Sequence, residues 1–499
     1  MTDLHCYLAI DRVLTMAHGT QLPPSATGSV LFADINGFTA LTEALVQQFS
    51  ARRGAEELTI LLNRFYDMLI GQVHQYGGSV VSFSGDAITC WFDNDSGLRA
   101  ATCALEMHRL VSERANIEVR YPLTIKTAIS YGNVHRITLG DPQIQLHDVL
   151  AGPAIESLAA TARYVQRNEI AVDAYLAQQL AASVSWRIEP VSGEHVALLI
   201  TLPTPAMPSP WPVIPLPLDE QLLRPWILPA VYARIQAGVE PFLAELRPAT
   251  TLMLTFGGGE HSDNSSYAGL KAYIRWVQCV IDTYGGALID VTFGDHGDFL
   301  YATFGVPIAN DDASIRAISA ALELCVPPAG LPGATMARIG IASGQVRCGP
   351  YGSMARRTYG VMGDTANLAA RLMDVAAPGT IICDEPTYQQ AREHWMFDAL
   401  PPVQAKGKSA LVAIYRPTGV RQHATTQRTN TLIGREAEIG LLRQHLVGSA
   451  AGAHSVLIVE GEAGIGKSRL INELLGMAHK HGVFAIMGSS EPINNRPYQ

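Results

Sequence analysis

The feature that most constrains this chain is a repeat. The run YGGSVVSFSGDAI, beginning at Tyr76, is echoed by YGGALIDVTFGDHGDFL, beginning at Tyr284. Further on, IKTAISYGNV around Gly132 is echoed by ARIGIASGQV around Gly344. Two echoes at nearly constant spacing mean an internal duplication, and two copies of one unit are expected to face each other as subunits of an isologous dimer do. Within 499 residues there is room for about three domains of common size, so a third segment is expected beyond the two copies.

Composition narrows the class. With 48% hydrophobic and 16% charged residues the chain reads as globular rather than disordered. A formal charge of −9 and a pI near 5.9 argue against a nucleic-acid-binding surface. The start, Met1-Thr2-Asp3-Leu4-His5-Cys6, lacks a basic and then apolar leader, and no run of apolar residues is long enough to cross a bilayer. The expectation is a cytoplasmic protein with no membrane span. Seven cysteines include no CxxC pair, so neither a zinc site nor a disulfide framework is indicated. His479-Lys480-His481 reads as a solvated helix end.

In the first copy, Val30-Leu31-Phe32-Ala33 is an unbroken apolar run that reads as a buried strand, and Asp34 stands where that strand must end. Read alone, Asp34 is equally a cap for the next helix. The following Ile35, Asn36, Gly37, Phe38 and Thr39 suit an anion cradle, with Gly37 permitting close backbone approach. Asp86 lies at the Ser-Gly-Asp turn of a predicted hairpin over residues 79–92. If that hairpin pairs beside the first strand, two carboxylates converge where divalent ions could clamp a polyphosphate. Leu58, Leu61, Leu62, Phe65, Leu69 and Val73 predict a helix that stops at Gly77-Gly78. Residues 97–114 predict another, and 121–132 a strand interrupted by Lys126.

FADINGFTALTE followed by GGSVVSFSGDAI resembles the class III nucleotidyl cyclase domain, closest to the soluble adenylyl cyclase branch. The resemblance implies an α+β fold of two ferredoxin-like domains in a pseudo-two-fold head-to-tail pair, over residues 28–200 and 246–418. A 27-residue N-terminal segment precedes them, and a linker over 201–245 joins them, with seven prolines between 203 and 217. It implies two Mg²⁺ or Mn²⁺ ions held by Asp34, Asp86 and Ile35, with residues 35–39 on the substrate phosphates and Lys126 reaching the triphosphate. The second copy has Thr255 in the place of Asp34 and only Asp298 near that of Asp86. It alone carries VMGDTANLAAR, with Asn367 and Arg371 four apart and so on one helix face; the first copy has Glu156 and Ala160 there. One complete site is therefore expected, in which the resemblance implies that Asn367 orients the ribose and Arg371 stabilises charge on the transferring phosphoryl group. The other site would be regulatory or vestigial, and Ser82 and Ala159 lack the basic character of bicarbonate-responsive relatives.

The base-recognition positions fall on Asp290 and Gly360. A carboxylate accepts from guanine N1–H and N2–H but cannot donate to adenine N1, so GTP stays open beside ATP as the substrate. The remaining alternative is a catalytically silent nucleotide-sensing module. Finally, Val456-Leu457-Ile458-Val459-Glu460 predicts a strand running into Gly461, Gly464, Gly466, Lys467 and Ser468. This is a full GxxxxGK[ST] phosphate loop, with Lys467 on the β/γ-phosphates and Ser468 on Mg²⁺ of a second ATP. With the IGRE lead it resembles the AAA- or STAND-like ATPase module, so 431–499 is expected to be the start of an α/β P-loop domain. It leaves room for neither a Walker B strand nor the rest of its sheet, so the expectation is a piece of a longer protein.

Overall fold

The computed structural model describes residues 4–37, 41, 51–115, 123–180, 183–190, 192–215, 217–238, 245–256, 264–293, 298–404, 411–421, 435–450, 456–460 and scattered positions of 470–478. It divides into two units, Met1–Arg421 and Gln422–Gln499.

The first unit contains the duplication as two sheets of one design. An N-terminal helix α1 (Ile10–Ala17) precedes β1 (Ser25–Asn36), α2 (Ala51–Gln75), β2 (Ser79–Ser84), β3 (Ala87–Asp93), α3 (Leu98–Ala115), β4 (Thr124–Asp141) and β5 (Gln145–Ala151). Then come α4 (Pro153–Ala162), β6 (Ile170–Val172), α5 (Ala174–Gln179), β7 (Val184–Ile188) and β8 (His195–Leu199). After the linker and α6 (Pro229–Gln236), the second half runs β9 (Glu245–Phe256), α7 (Asn264–Thr283), β10 (Gly286–Thr292), β11 (Asp298–Phe304), α8 (Ala313–Leu324), β12 (Arg338–Gly352) and β13 (Arg357–Met362). It closes with α9 (Asp364–Val375), β14 (Thr380–Asp384), α10 (Glu385–Ala391), β15 (Trp395–Val403) and β16 (Val412–Val420).

The strand orders are β2-β3-β1-β4-β6-β8-β7 and β10-β11-β9-β12-β14-β16-β15, with β5 paired to β4 and β13 to β12. The four leading strands of each sheet, with helices after the first and third, are in the ferredoxin-like order. On α2, Leu58, Leu62, Phe65, Leu69 and Val73 are all buried at helical spacing. The helix ends at Gly77, whose φ of +68° is the left-handed conformation that glycine adopts without strain.

Each half lends the other a hairpin. Tyr351 and Met362 of β12–β13 are buried in the first half's core with Ile35, Tyr66 and Phe83. Ile137, Leu139, Val149 and Ala151 of β4–β5 are buried in the second half's core with Leu254, Tyr267 and Ile274. The helices pack reciprocally, α2 against β12 and α7 against β4. This explains why β4 runs nine residues past Gly132, where the sequence pattern suggested an end: His135 and Arg136 break the apolar alternation because they face other elements. The His135 ring meets Tyr267 of α7, and Arg136 pairs with Asp11 and Asp148.

The linker lies along the first half. Ala206 N–H donates to Thr102 Oγ1 at 2.9 Å, Ser209 N–H to the Gln75 carbonyl at 2.9 Å, and Trp211 Nε1–H to the Gly78 carbonyl at 2.6 Å.

In the second unit, α11 (Glu436–Ala450) buries Leu442 and Leu446 with Leu470 and Met477. Residues 456–460, predicted as a strand, carry no ladder among the described residues. The phosphate loop over 461–468 lies outside the described residues, as does 479–481. No helix among the described residues is long and apolar enough to cross a membrane.

The N-terminal segment is held by a buried charge cluster. Arg12 Nη2 lies 2.7 Å from Asp148 Oδ1, and Arg136 Nη2 lies 2.6 Å from Asp148 Oδ2 while Nη1 contacts Asp11. Burial alone would raise Asp148, but the charges and hydrogen bonds of Arg136 and Arg12 outweigh it and hold the carboxyl well below the usual range. Arg136→Met should leave two buried carboxylates short of their shared cation. The expected loss is about 3–5 kcal/mol of stability, read as a lower thermal midpoint by calorimetry; an unchanged midpoint would contradict it.

Candidate active site

The ladder of β1 builds the site. Asp34, the third-last residue of β1, pairs with Ala87 of β3 on one side and Lys126 of β4 on the other. Ser84 pairs with Ala87, so Gly85 and Asp86 form a two-residue turn, with Gly85 at φ +64°. The Ile35 N–H donates to the Asp86 carbonyl at 3.3 Å. The two carboxylates thus share one sheet end, as expected. Lys126 Nζ stands 2.9 Å from Asp34 Oδ2, with both side chains part-exposed. Asp86 is pushed above the usual carboxylate range by burial and then by the charge of Asp34. Two carboxylates at one sheet end, one of them buried, are a donor set that suits hard divalent cations. Gly37, at φ +100°, accepts from Leu41 N–H at 3.0 Å. Phe38 and Thr39 lie outside the described residues.

Strand register defines the second copy's counterpart. Thr255 pairs with Phe299, the residue after Asp298, just as Asp34 pairs with the residue after Asp86. Its hydroxyl accepts from Arg338 N–H at 2.9 Å. The end of β1 therefore carries Asp34 beside Asp86, whereas among the described residues the matching end of β9 carries Thr255 beside Asp298.

Asn367 is exposed and Arg371 half-buried on α9, whose N-cap Gly363 follows Met362 directly. Because Met362 is packed in the first half's core with Ile35 and Phe83, α9 begins beside the half that holds the two aspartates.

Asp290 and Gly360 each have a neighbour that the sequence did not suggest, Ser84 for the one and Tyr351 for the other. The Asp290 carboxylate accepts from Val291 N–H at 2.9 Å and Thr292 Oγ1 at 2.9 Å, and across the two halves from Ser84 Oγ at 3.1 Å. Burial pushes it up to about 6 against the pull of those three donors. At Gly360, a Cβ would lie 2.3 Å from Tyr351 Cε1, so the aromatic ring occupies the space that a side chain would need.

Three aromatic or cationic residues were missed because they read as ordinary core. Tyr66 donates to the Gly85 carbonyl at 3.3 Å and packs at 5.6 Å centroid distance from both Phe83 and Tyr351. Arg347, 4% exposed, donates from Nε to Thr59 Oγ1 of α2 at 2.9 Å. Departures from the repeat were the available signal: the matched positions of Tyr66, Tyr351 and Arg347 are Ile274, Leu139 and His135.

The family model for the adenylate and guanylate cyclase catalytic domain matches residues 296–416. Those residues carry a class III cyclase domain. A model for the AAA ATPase domain matches 431–499, downstream of the cyclase domain. Adenylate cyclase type 10 of Homo sapiens is 26% identical over 92% of this chain and 31% of its own length. Adenylate cyclase 1 of Rhizobium meliloti is 27% identical over 33% of this chain and 26% of its own length. The chain thus spans about a third of the type 10 relatives it matches. Among solved structures, adenylyl cyclase CyaB from P. aeruginosa aligns with 36% of this chain and 97% of its own, at 22% identity and a TM-score of 0.32. A class III adenylyl cyclase-like ATP-binding protein from Pseudomonas aeruginosa aligns with 73% of this chain and 85% of its own, at 11% identity and a TM-score of 0.48.

Gly360→Ala should force Tyr351 out of place and lower the thermal midpoint, and Tyr351→Leu in the same chain should recover part of the loss. Equal midpoints for Gly360→Ala and the wild type would contradict the packing described for this part of the cyclase domain.

Proposed function

We propose that the chain converts ATP to 3′,5′-cyclic AMP and diphosphate at one composite site between two cyclase-like halves in a pseudo-two-fold, head-to-tail pair. The observation that carries this reading is the convergence of Asp34 and Asp86 at one sheet end beside Lys126, where the matching end of β9 has Thr255 in the place of Asp34. The reciprocal exchange of hairpins and helices supports the paired arrangement. Relatives named adenylate cyclase, matched along most of the chain, support ATP over GTP.

Asp34 and Asp86, with the Ile35 carbonyl, would hold two Mg²⁺ or Mn²⁺ ions. When bound, these supply charge neutralisation for the phosphates and a more acidic 3′-hydroxyl. Lys126, beside Asp34 at 2.9 Å, would reach the triphosphate. The backbone N–H groups from Asn36 onward cradle the phosphates. Asn367 orients the ribose, so that its 3′-oxygen bonds to the α-phosphorus as the bond to the departing diphosphate breaks and the hydroxyl proton is lost. Arg371 stabilises the charge gathering on that phosphoryl group. A second ATP with Mg²⁺ belongs to the phosphate loop, with Gly461, Gly464, Gly466, Lys467 and Ser468, a reading supported by the AAA ATPase match.

GTP remains the alternative substrate because Asp290 is an acceptor. Its oxygens already take Val291, Thr292 and Ser84, which weakens a role in pairing with guanine.

Asp34→Ala and Asp86→Ala should each lower turnover by orders of magnitude while leaving circular dichroism unchanged, as followed by chromatography of the cyclic product from ATP and from GTP. Either variant near wild-type activity refutes the metal assignment, and faster turnover of GTP refutes the substrate. Arg371→Ala should likewise abolish turnover. Ala160→Arg should not create a second site, because Thr255 leaves that side without its first carboxylate. In the Lys467→Ala background, titration with a non-hydrolysable ATP analogue and Mn²⁺ should give one site per chain.

A further inference from the structure

Arg356 sits in the turn between β12 and β13 and is 6% exposed. The hydrogen bonds of its guanidinium all go to backbone carbonyls. Nε donates to Val80 and Nη2 to Val81, each at 2.9 Å, while Nη1 donates to Tyr7 at 2.8 Å and Arg357 at 2.6 Å. The group lies over the Phe83 ring, 5.1 Å from its centroid. Val80 and Val81 stand at a β-bulge, where the β2–β3 register shifts between Val80 and Ser82 and Val81 is left without a ladder partner. A guanidinium from one half therefore caps the irregular backbone of the other. Burial lowers it to about 10, so it keeps its charge at neutral pH.

Both chain directions from this contact lead to the candidate active site. Along β2 the chain passes Phe83 and Ser84 to the Gly85–Asp86 turn; along β13 it passes Met362 and Gly363 to α9, with Asn367 and Arg371. We propose that Arg356 is a positioning residue of the composite site: its fork fixes the strand that delivers Asp86 against the hairpin that delivers Asn367 and Arg371. This rests on the cyclase reading.

The duplication separates this role from a need of the fold. Ladder register matches Arg356 to Gln145 in the first half's β4–β5 hairpin. Gln145 Nε2 donates instead to the Trp226 carbonyl at 3.4 Å, and its Oε1 is buried without a partner. The matching bulge on β10, between Leu288 and Asp290, is present, and Gln145 sends its amide N–H to Trp226 rather than to that bulge. The same sheet is thus built twice, and of the two matched positions it is the one beside the strand of Asp86 that carries the guanidinium clamp. A planar guanidinium meets two successive carbonyls in fixed geometry, whereas a lysine ammonium can be placed on only one of them without that constraint.

The test uses the full chain with Arg356→Lys, and Gln145→Leu as its counterpart in the other half. Turnover is measured with Mg²⁺ and ATP well below each thermal midpoint, together with hydrogen exchange over 79–92 and 357–371. Arg356→Lys should lower kcat about tenfold to a hundredfold, as a displacement near 1 Å does, with KM within about twofold. Exchange should rise in both segments together. Gln145→Leu should change neither. An Arg356→Lys enzyme with wild-type kcat overturns the proposal, as does an equal loss in Gln145→Leu. A variant that fails to fold while Gln145→Leu folds assigns Arg356 to stability and overturns it too. If the wild type makes no cyclic nucleotide, the cyclase reading fails, and coupled exchange in the two segments still decides whether Arg356 joins them.

Discussion

Neither half of the first unit closes its own core. Tyr351 and Met362 fill the space beneath Ile35 and Phe83 in one half, and Leu139 and Val149 fill the corresponding space in the other. Burial of apolar side chains is the dominant favourable term in folding and is non-directional, so a core completed by a neighbour joins the two sheets as firmly as a core joins the layers of one domain. The hairpins that perform this exchange are continuous with the strands and helices that bear the polar groups. The relative placement of those groups is thereby inherited from the packing of the cores.

On this nearly symmetric scaffold the chemistry is one-sided. Asp34 faces Thr255 across the duplication, Tyr66 faces Ile274, Arg356 faces Gln145, and Asn367 and Arg371 face Glu156 and Ala160. A carboxylate buried in a turn beside a second carboxylate is costly to ionise, and Asp86 registers that cost in its raised proton affinity. The second half keeps a threonine at the matching place, where its hydroxyl is satisfied by a backbone N–H. The Gly85–Asp86 turn stands next to the aromatic group of Tyr66, Phe83 and Tyr351.

The N-terminal segment and the linker add polar ties to this apolar exchange. Asp11 takes the Ser79 hydroxyl at 2.8 Å as well as Arg136, and Arg12 lies over the Trp226 ring, so the first sheet, the segment before it and the segment after it share one buried network. Such a network is costly to leave incomplete and specifies one arrangement rather than adding much net stability.

The sequence by itself determined the duplication, the buried strand that carries Asp34, the hairpin with Asp86 at its tip, the helix from Leu58 to the Gly77 stop and the asymmetry of the aspartates; that the strand runs two residues past Asp34, to Asn36, it did not. Each of these is a local pattern: an apolar period, a glycine that permits a left-handed turn, or a residue type repeated or lost at fixed spacing. Only the tertiary structure decided that β4 continues through His135 and Arg136, that the Asp290 carboxylate is met by Ser84 of the other half, and that Gly360 lies under the Tyr351 ring. It alone revealed Arg356 as the cap of the β2 bulge. These depend on contacts between residues far apart in the chain, where a polar side chain gains its partner from another element. Nothing in the local spacing of an arginine in a turn distinguishes one bonded to water from one bonded to the carbonyls of a strand on the far side of the molecule.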